Sequence, residues 1–217
     1  MDKFRELTEY ILEWNEKINV TAIRDSKEFM IKNIEDSLEL SKLSEYAAAK
    51  EIMDMGTGGG FPGLPLAMTS PEKNFLLVDS IGKKLKVIDD VCGRLGIKNV
   101  KTLHQRAEDL NKNKKFDLVT SRAVANLSTL SEYCLPFVKI GGYFIAFKTE
   151  DSLEEIEAAK KAIDILGGKI EKIVKYTEID SNVSPDNSGH LFVVIKKEKE
   201  TPPAYPRKAG EPSKKPL

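Results

Sequence analysis

Only two cysteines occur in the 217 residues, Cys92 and Cys134, each among apolar neighbours. That excludes a disulfide framework, and both read as core side chains. Two histidines, His104 and His190, provide no ligand set for a metal; each reads as a satisfied structural histidine. No apolar run approaches the roughly 18 residues of a membrane span. Met1–Glu6 is charged and lacks the apolar stretch of a secretory signal, so cytoplasmic residence is expected. Net charge is also missing, with 34 Lys+Arg against 34 Asp+Glu, and a neutral chain argues at first sight against a nucleic-acid partner. The chain has no internal repeat, no low-complexity segment and no feature that demands an oligomer, so a monomer is expected.

What remains is a globular composition, 41% hydrophobic and 31% charged, long enough for one sizeable core plus an appendage. Phe4, Leu7, Tyr10, Ile11, Trp14 and Ile18 recur in steps of three and four and predict a helix over 2–20. A second helix follows over 27–43, capped by Asp25 or Ser26. Short apolar runs at 52–53, 75–78, 118–119 and 143–147 then alternate with helical stretches at 63–68, 83–95, 127–138 and 152–166. This spacing predicts βαβ crossovers and a mostly parallel α/β sheet. Residues 99–103 fit another strand, and 169–176 with 190–197 an antiparallel pair closing one edge. The organisation is a helical segment (1–48), an α/β domain (49–198) and a tail (199–217). Thr201–Leu217 holds five prolines, with Arg207, Lys208, Lys214 and Lys215 against Glu211, a composition that favours an extended, poorly packed tail or a basic arm for a polyanion.

Chemistry concentrates in Ile52-Met53-Asp54-Met55-Gly56-Thr57-Gly58-Gly59-Gly60-Phe61-Pro62-Gly63, a glycine loop between a strand and a helix. Glycines permit a sharp turn and close approach of a ligand to the backbone, and the free N–H groups of the helix start favour an electronegative group. A phosphate loop needs lysine after its last glycine, where Leu64 stands. A dinucleotide fingerprint exists at Gly58, Gly60 and Gly63, but it begins three residues beyond the strand. The pattern acid-x-G-x-G-x-G is met in full by Asp54, Gly56, Gly58 and Gly60. It resembles the first motif of S-adenosylmethionine-dependent methyltransferases with a Rossmann-like sheet. Asp79 ends the next strand, where an acid accepts hydrogen bonds from ribose hydroxyls or caps the following helix.

Further stretches occur in order: Trp14-Asn15, Asn19-Val20-Thr21, Asp36-Ser37-Leu38, Asp79-Ser80, Lys83-Lys84, Arg106-Ala107-Glu108, Ser121-Arg122-Ala123-Val124-Ala125 and Tyr205-Pro206-Arg207-Lys208-Ala209-Gly210. Together with the glycine loop they resemble the bacterial 16S rRNA guanine-N7 methyltransferases, the glucose-inhibited division protein B family, over almost the whole chain. The resemblance implies a class I methyltransferase sheet and S-adenosylmethionine as methyl donor. It also implies 16S rRNA or the small ribosomal subunit as partner, with N7 of a guanine, nucleotide 527 in the family, as acceptor. Gly56 and Phe61 match cofactor-contacting loop positions, Ala107 and Glu108 the pair facing the adenine, and Arg122 the arginine at the mouth of the site; Gly58 and Asp79 join them from the motif. Two positions depart from the family: Asn33 stands where it usually has His, and Thr149 follows Lys148 where it commonly has Gly.

Guanine N7 already presents a lone pair and carries no proton, so no catalytic base is expected and positioning carries the reaction. The Asp/Asn-Pro-Pro-aromatic segment of amino-group methyltransferases and the Pro-Cys of cytosine-C5 enzymes are both missing. Arg122 either pairs with a carboxylate such as Asp54 or Glu108 or faces cofactor and guanine; its place after a strand at the binding edge favours the second. Phe61 packs on the cofactor or fills the core. Lys83, Lys84 and Lys86 form a solvated face or a rim for phosphates. The alternatives are a methyltransferase for another substrate, a nicotinamide dehydrogenase, and a non-catalytic rRNA-binding assembly factor.

Overall fold

The alternating apolar runs and helical stretches assemble into one seven-stranded sheet in a computed structural model that describes residues 3–122 and 125–217. Ala123 and Val124 of the Ser-Arg-Ala-Val-Ala motif lie outside the described residues. The strands are β1 (Glu51–Met55), β2 (Asn74–Asp79), β3 (Val100–His104), β4 (Phe116–Arg122), β5 (Val138–Thr149), β6 (Gly168–Lys175) and β7 (His190–Lys197). Helices α1 (Lys3–Asn15), α2 (Ser26–Phe29), α3 (Asp36–Glu39) and α4 (Ser44–Ala48) precede them. The later helices are α5 (Gly63–Thr69), α6 (Gly82–Leu95), α7 (Leu127–Cys134), α8 (Leu153–Ile165), α9 (Tyr176–Ile179) and α10 (Glu211–Lys214).

Strand order is β3-β2-β1-β4-β5-β7-β6. Strands β1 to β5 run parallel, and β7 pairs antiparallel with both β5 and β6. The expected parallel sheet with an antiparallel C-terminal edge is therefore present, with β7 inserted inside β6. A parallel sheet needs both faces covered, and successive strand residues point into opposite layers. Ile52, Leu118 and Ile145 pack with Tyr46 and Leu66 on one face. Met53, Val119 and Phe144 meet Leu130, Ile156 and Ile163 of α7 and α8 on the other. A third cluster joins Leu7 and Ile11 of α1 to Leu77, Leu85 and Ile88. The strand order reverses beside β1, and the carboxyl ends of β1, β2 and β4 open the crevice expected at such a switch point.

The amino-terminal helices differ from the simple periodic expectation. Helix α1 stops at Asn15 rather than Val20, because the Asn15 amide takes over the backbone beyond it. Its Oδ1 accepts from Val20 N at 2.8 Å and Thr21 N at 3.0 Å, and its Nδ2 donates to Thr21 O at 2.9 Å. Asp25 caps α2 by accepting from Glu28 N at 2.8 Å. The second expected helix is not uniform: Met30–Glu35 winds as a π-helix before α3, a wider turn often found at functional sites. Helix α4 was not expected at all. The helix predicted over 127–138 ends at Cys134, just before Pro136.

The tail is a clear correction. Its composition suggests an extended, poorly packed segment, yet Pro206 and Pro212 are buried and Tyr205 and Leu217 pack on the main core. Arg207 meets Glu132 of α7, whose side chain is 0% exposed, at 2.6 Å. A buried carboxylate demands a cation, and composition cannot reveal where that carboxylate lies.

The start of α5 is close-packed. A Cβ on Gly63 would stand 2.0 Å from Leu77 Cδ2 and 3.0 Å from Asp54 Oδ2. Gly63→Ala is expected to lower stability by about 1–3 kcal/mol through overpacking, read as a lower urea midpoint with unchanged slope.

Candidate active site

The crevice is built on two acids. Asp54, on β1 and 1% exposed, accepts at Oδ2 from Thr57 Oγ1 at 2.6 Å and Gly63 N at 3.0 Å; its Oδ1 is buried without a partner. Asp79, at the end of β2, accepts from Gly58 N and Ile81 N, both at 2.8 Å. It thereby serves the turn before α6 and ties the glycine loop to β2. Gly56 N and Thr57 N donate to Val78 O at 2.9 and 3.0 Å. The loop bends through left-handed backbone at Gly58 (φ 58°) and Gly60 (φ 97°), conformations that disfavour side chains. A Cβ on Gly58 would find nothing nearer than 4.0 Å, with Lys84 Nζ at that distance, so this turn faces open space.

Two adjoining cavities share Gly56, Asp79 and Ser80. One, about 440 Å³, is lined by Gly56–Gly59, Phe61, Asp79, Lys84, Asn33 and Arg122, with Val20 and Thr21 also on its lining. The other, about 140 Å³, is lined by Met55, Asp79, Ala107, Glu108 and Tyr133. Of the seven expected site residues, Gly56, Gly58, Phe61, Asp79 and Arg122 line the larger cavity, and Gly56, Asp79, Ala107 and Glu108 the smaller. Together the two linings bring an acid at the second strand, a small buried residue (Ala107) and a bare backbone turn at Gly58, groups that could hold a nucleoside.

Phe61 belongs to core and cleft together, edge-on to Phe29 with ring centroids 5.4 Å apart and 5.8 Å from Arg122 Cζ. Of the lysine group, only Lys84 lines the cleft; Lys83 and Lys86 are exposed. His104 contacts Ser80 O at 3.1 Å, and His190 is satisfied by Asp36 at 2.8 Å.

Arg122 pairs with neither Asp54 nor Glu108. Its Nη1 donates to Asp36 Oδ2 at 2.7 Å and Lys32 O at 2.8 Å, and Nη2 donates to Asn33 Oδ1 at 2.6 Å. Asp36 is 2% exposed and also accepts from Tyr176 OH at 3.1 Å. Burial pushes its carboxyl upward, but the His190 hydrogen bond and the Arg122 charge together hold it below the usual range. Asn33, Asp36 and Tyr176 carry roles that residue type alone did not reveal. The signal was the spacing of Asn33 and Asp36 on one helical face, and their partners stand about 90 to 150 positions away. Beyond Arg122 lies a further cavity of about 400 Å³, lined by Lys32, Asp36, Phe147, Lys148, Thr149, Ser152 and His190. Arg122 lines both this cavity and the cofactor-side cleft.

With this geometry established, comparison with known proteins places the chain. The family model GidB, described as rRNA small subunit methyltransferase G, matches residues 1–183. The chain belongs to the GidB family. Ribosomal RNA small subunit methyltransferase G of Clostridium novyi (strain NT) is 46% identical over 100% of this chain and 88% of its own length. That of Desulforamulus reducens is 44% identical, covering 99% and 89%. Among solved structures, StiE O-MT residues 961–1257 superposes with a TM-score of 0.59 at 16% identity, over 76% of this chain and 74% of that one; this likeness concerns the fold alone. This GidB-family chain is accordingly an rRNA methyltransferase, with a class I sheet and S-adenosylmethionine as its methyl donor. Among the described residues no cluster of His, Cys, Asp and Glu could hold a metal ion, and no helix is long and apolar enough to cross a membrane.

Burial pushes the Asp54 carboxyl from 3.8 up to about 6. The raised value means the fold favours neutral Asp54, so its stabilisation is present at acidic pH and lost as pH rises through about 6. Asp54→Asn should remove this dependence. Between about pH 4 and pH 8 wild type is expected to lose about 2–3 kcal/mol relative to the variant, measured by urea unfolding at both pH values.

Proposed function

We propose that this chain transfers a methyl group from S-adenosylmethionine to N7 of a guanine in 16S rRNA, acting as a cytoplasmic monomer on the small subunit or its rRNA. The observation that carries this reading is Arg122, one side chain lining both the glycine-loop cavity and the second cavity. A methyl donor on one side and a flat base on the other would meet at that side chain. Gly56, Gly58 and Phe61 would hold the amino-acid end of the cofactor, Asp79 its ribose, and Ala107 with Glu108 its adenine. When bound, the cofactor supplies an electrophilic methyl on a sulfonium sulfur.

The remaining chemistry belongs to the protein. N7 offers its lone pair without losing a proton, so no side chain acts as a base, and His190 and Asp36 are occupied with each other. Arg122, fixed by three acceptors, has the planar cation that stacks on or forks to a base. A cation does not help a purine acquire positive charge, so its role is orientation, and holding the reactants in line supplies the rate. Asn33 supports this role as the acceptor for Nη2, which gives the departure from histidine a purpose. Lys32, Lys84 and Lys148 around the two cavities supply local positive charge for an RNA backbone.

Incubation with labelled S-adenosylmethionine and small-subunit rRNA, followed by mapping of the modified nucleoside, tests the reading. N7-methylguanosine at one site is expected; a methyl group on an exocyclic amine or a ribose would overturn it. NAD binding without S-adenosylmethionine binding would point to the dehydrogenase alternative. Arg122→Lys keeps the charge opposite Asp36 but loses the fork, and should cut methylation about 10–100-fold in a variant that still folds, its unfolding midpoint lowered by the lost bonds to Lys32 O and Asn33. Wild-type turnover in that variant would remove Arg122 from the mechanism.

A further inference from the structure

The carboxyl-terminal residues lie beyond the 183 positions matched by the family model, yet they touch Glu108, which lines the smaller cavity. Arg207 anchors them. Its backbone N donates to Glu132 Oε1 at 2.7 Å, and its Nε and Nη2 fork onto the same carboxylate at 2.9 and 2.6 Å. Nη2 also donates to Lys215 O at 2.9 Å, so one guanidinium ties two points of the tail to α7. Thr129 of α7 donates to Pro212 O at 3.0 Å. Between these anchors Gly210, in the left-handed region at φ 82°, points its N–H at Glu108 Oε1, 3.1 Å away. Tyr133, next to Glu132 on α7, lines the same small cavity as Glu108.

We propose that residues 205–217 form a strap that backs the adenosine end of the cleft and positions Glu108 through Gly210, with the Arg207–Glu132 pair setting its register. The proposal rests on the assignment of Ala107 and Glu108 to the cofactor's adenine. A carboxylate on a short surface turn is free to rotate; a backbone N–H delivered from 102 residues away holds it in one orientation before the ligand arrives, which lowers the ordering cost of binding. A buried Arg–carboxylate pair is a weak device for stability and a good one for register. Here it fixes Gly210 three residues from Arg207. The Lys208, Lys214 and Lys215 side chains are exposed, on the same strap. Contact of those lysines with rRNA phosphates would hold the strap down and so tighten the cofactor site. Arg207 and Glu132 touch neither substrate nor cofactor and are positioning residues.

Hydrogen exchange on the full chain, with and without adenosylhomocysteine, tests this without any substitution. Slowed exchange in both 105–110 and 205–217 is expected. Slowing in 105–110 with an unchanged strap would overturn the strap. No change in either segment, with slowing at the glycine loop, would instead overturn the adenine assignment and the strap with it. In parallel, Arg207→Ala should weaken adenosylhomocysteine binding about tenfold by calorimetry and raise KM for S-adenosylmethionine, while kcat at saturating cofactor stays within about twofold. A merely structural role would lower kcat through loss of folded enzyme and leave KM unmoved, and that pattern would refute the proposal. Should Arg207→Ala fail to fold, the exchange measurement on the wild-type chain decides alone.

Discussion

The carboxylate of Asp36 holds together the parts of this protein that lie farthest apart along the chain. It sits on the amino-terminal helical segment and binds Arg122 from β4, Tyr176 from α9 and His190 from β7. A buried charge left unpaired costs several kcal/mol, so these groups must arrive together or the helical segment cannot dock. Docking has a direct consequence for the site. The same segment brings Asn33 to Arg122, and the loop pinned by Asn15 brings Val20 and Thr21 against the glycine loop. The cleft therefore has a wall that the Rossmann-like sheet alone would not supply.

On the sheet side, two carboxylates at the ends of adjacent strands do comparable work. Asp54 holds the start of α5 through Gly63, and Asp79 holds the middle of the glycine loop through Gly58. A glycine run has high conformational entropy when unfolded, and these bonds set it in one shape before any ligand binds. One of the two acids is also under electrostatic stress: Asp54 Oδ1 is buried with no partner, so desolvation dominates its titration.

Neutral composition and an RNA substrate are reconciled by position. The cations proposed for RNA contact line the two cavities that meet at Arg122 (Lys32, Lys84 and Lys148) or stand exposed along the strap (Lys208, Lys214 and Lys215). An enzyme that modifies one nucleotide needs local positive potential; a large net charge would chiefly add non-specific binding. The second cavity places Thr149, one of the two departures from the family pattern, on its lining, which makes it a natural place to look for differences in substrate handling.

Much of this was legible in residue order. Hydrophobic period identified the central strands and the crossover helices, because that period is a local consequence of burial on one or two faces. The glycine loop, Asp54 and Asp79 were legible because their contacts are made within one βαβ unit, where spacing along the chain dictates spacing in the crevice. Ala107, Glu108 and Arg122 came from family resemblance; the first two line the smaller cavity and Arg122 the larger one beside it. The boundary of α1, the π-helical turn at Met30–Glu35 and the packed tail were not legible. Each depends on a side chain whose partner has no fixed offset: Asn15 folding back on a loop, Asn33 and Asp36 meeting Arg122, Arg207 finding Glu132. Sequence by itself determined the sheet and the glycine-loop crevice at its switch point. Only the tertiary structure decided what Arg122 holds and where the tail lies, because a buried ion pair is chosen by mutual desolvation of groups brought together by the whole fold.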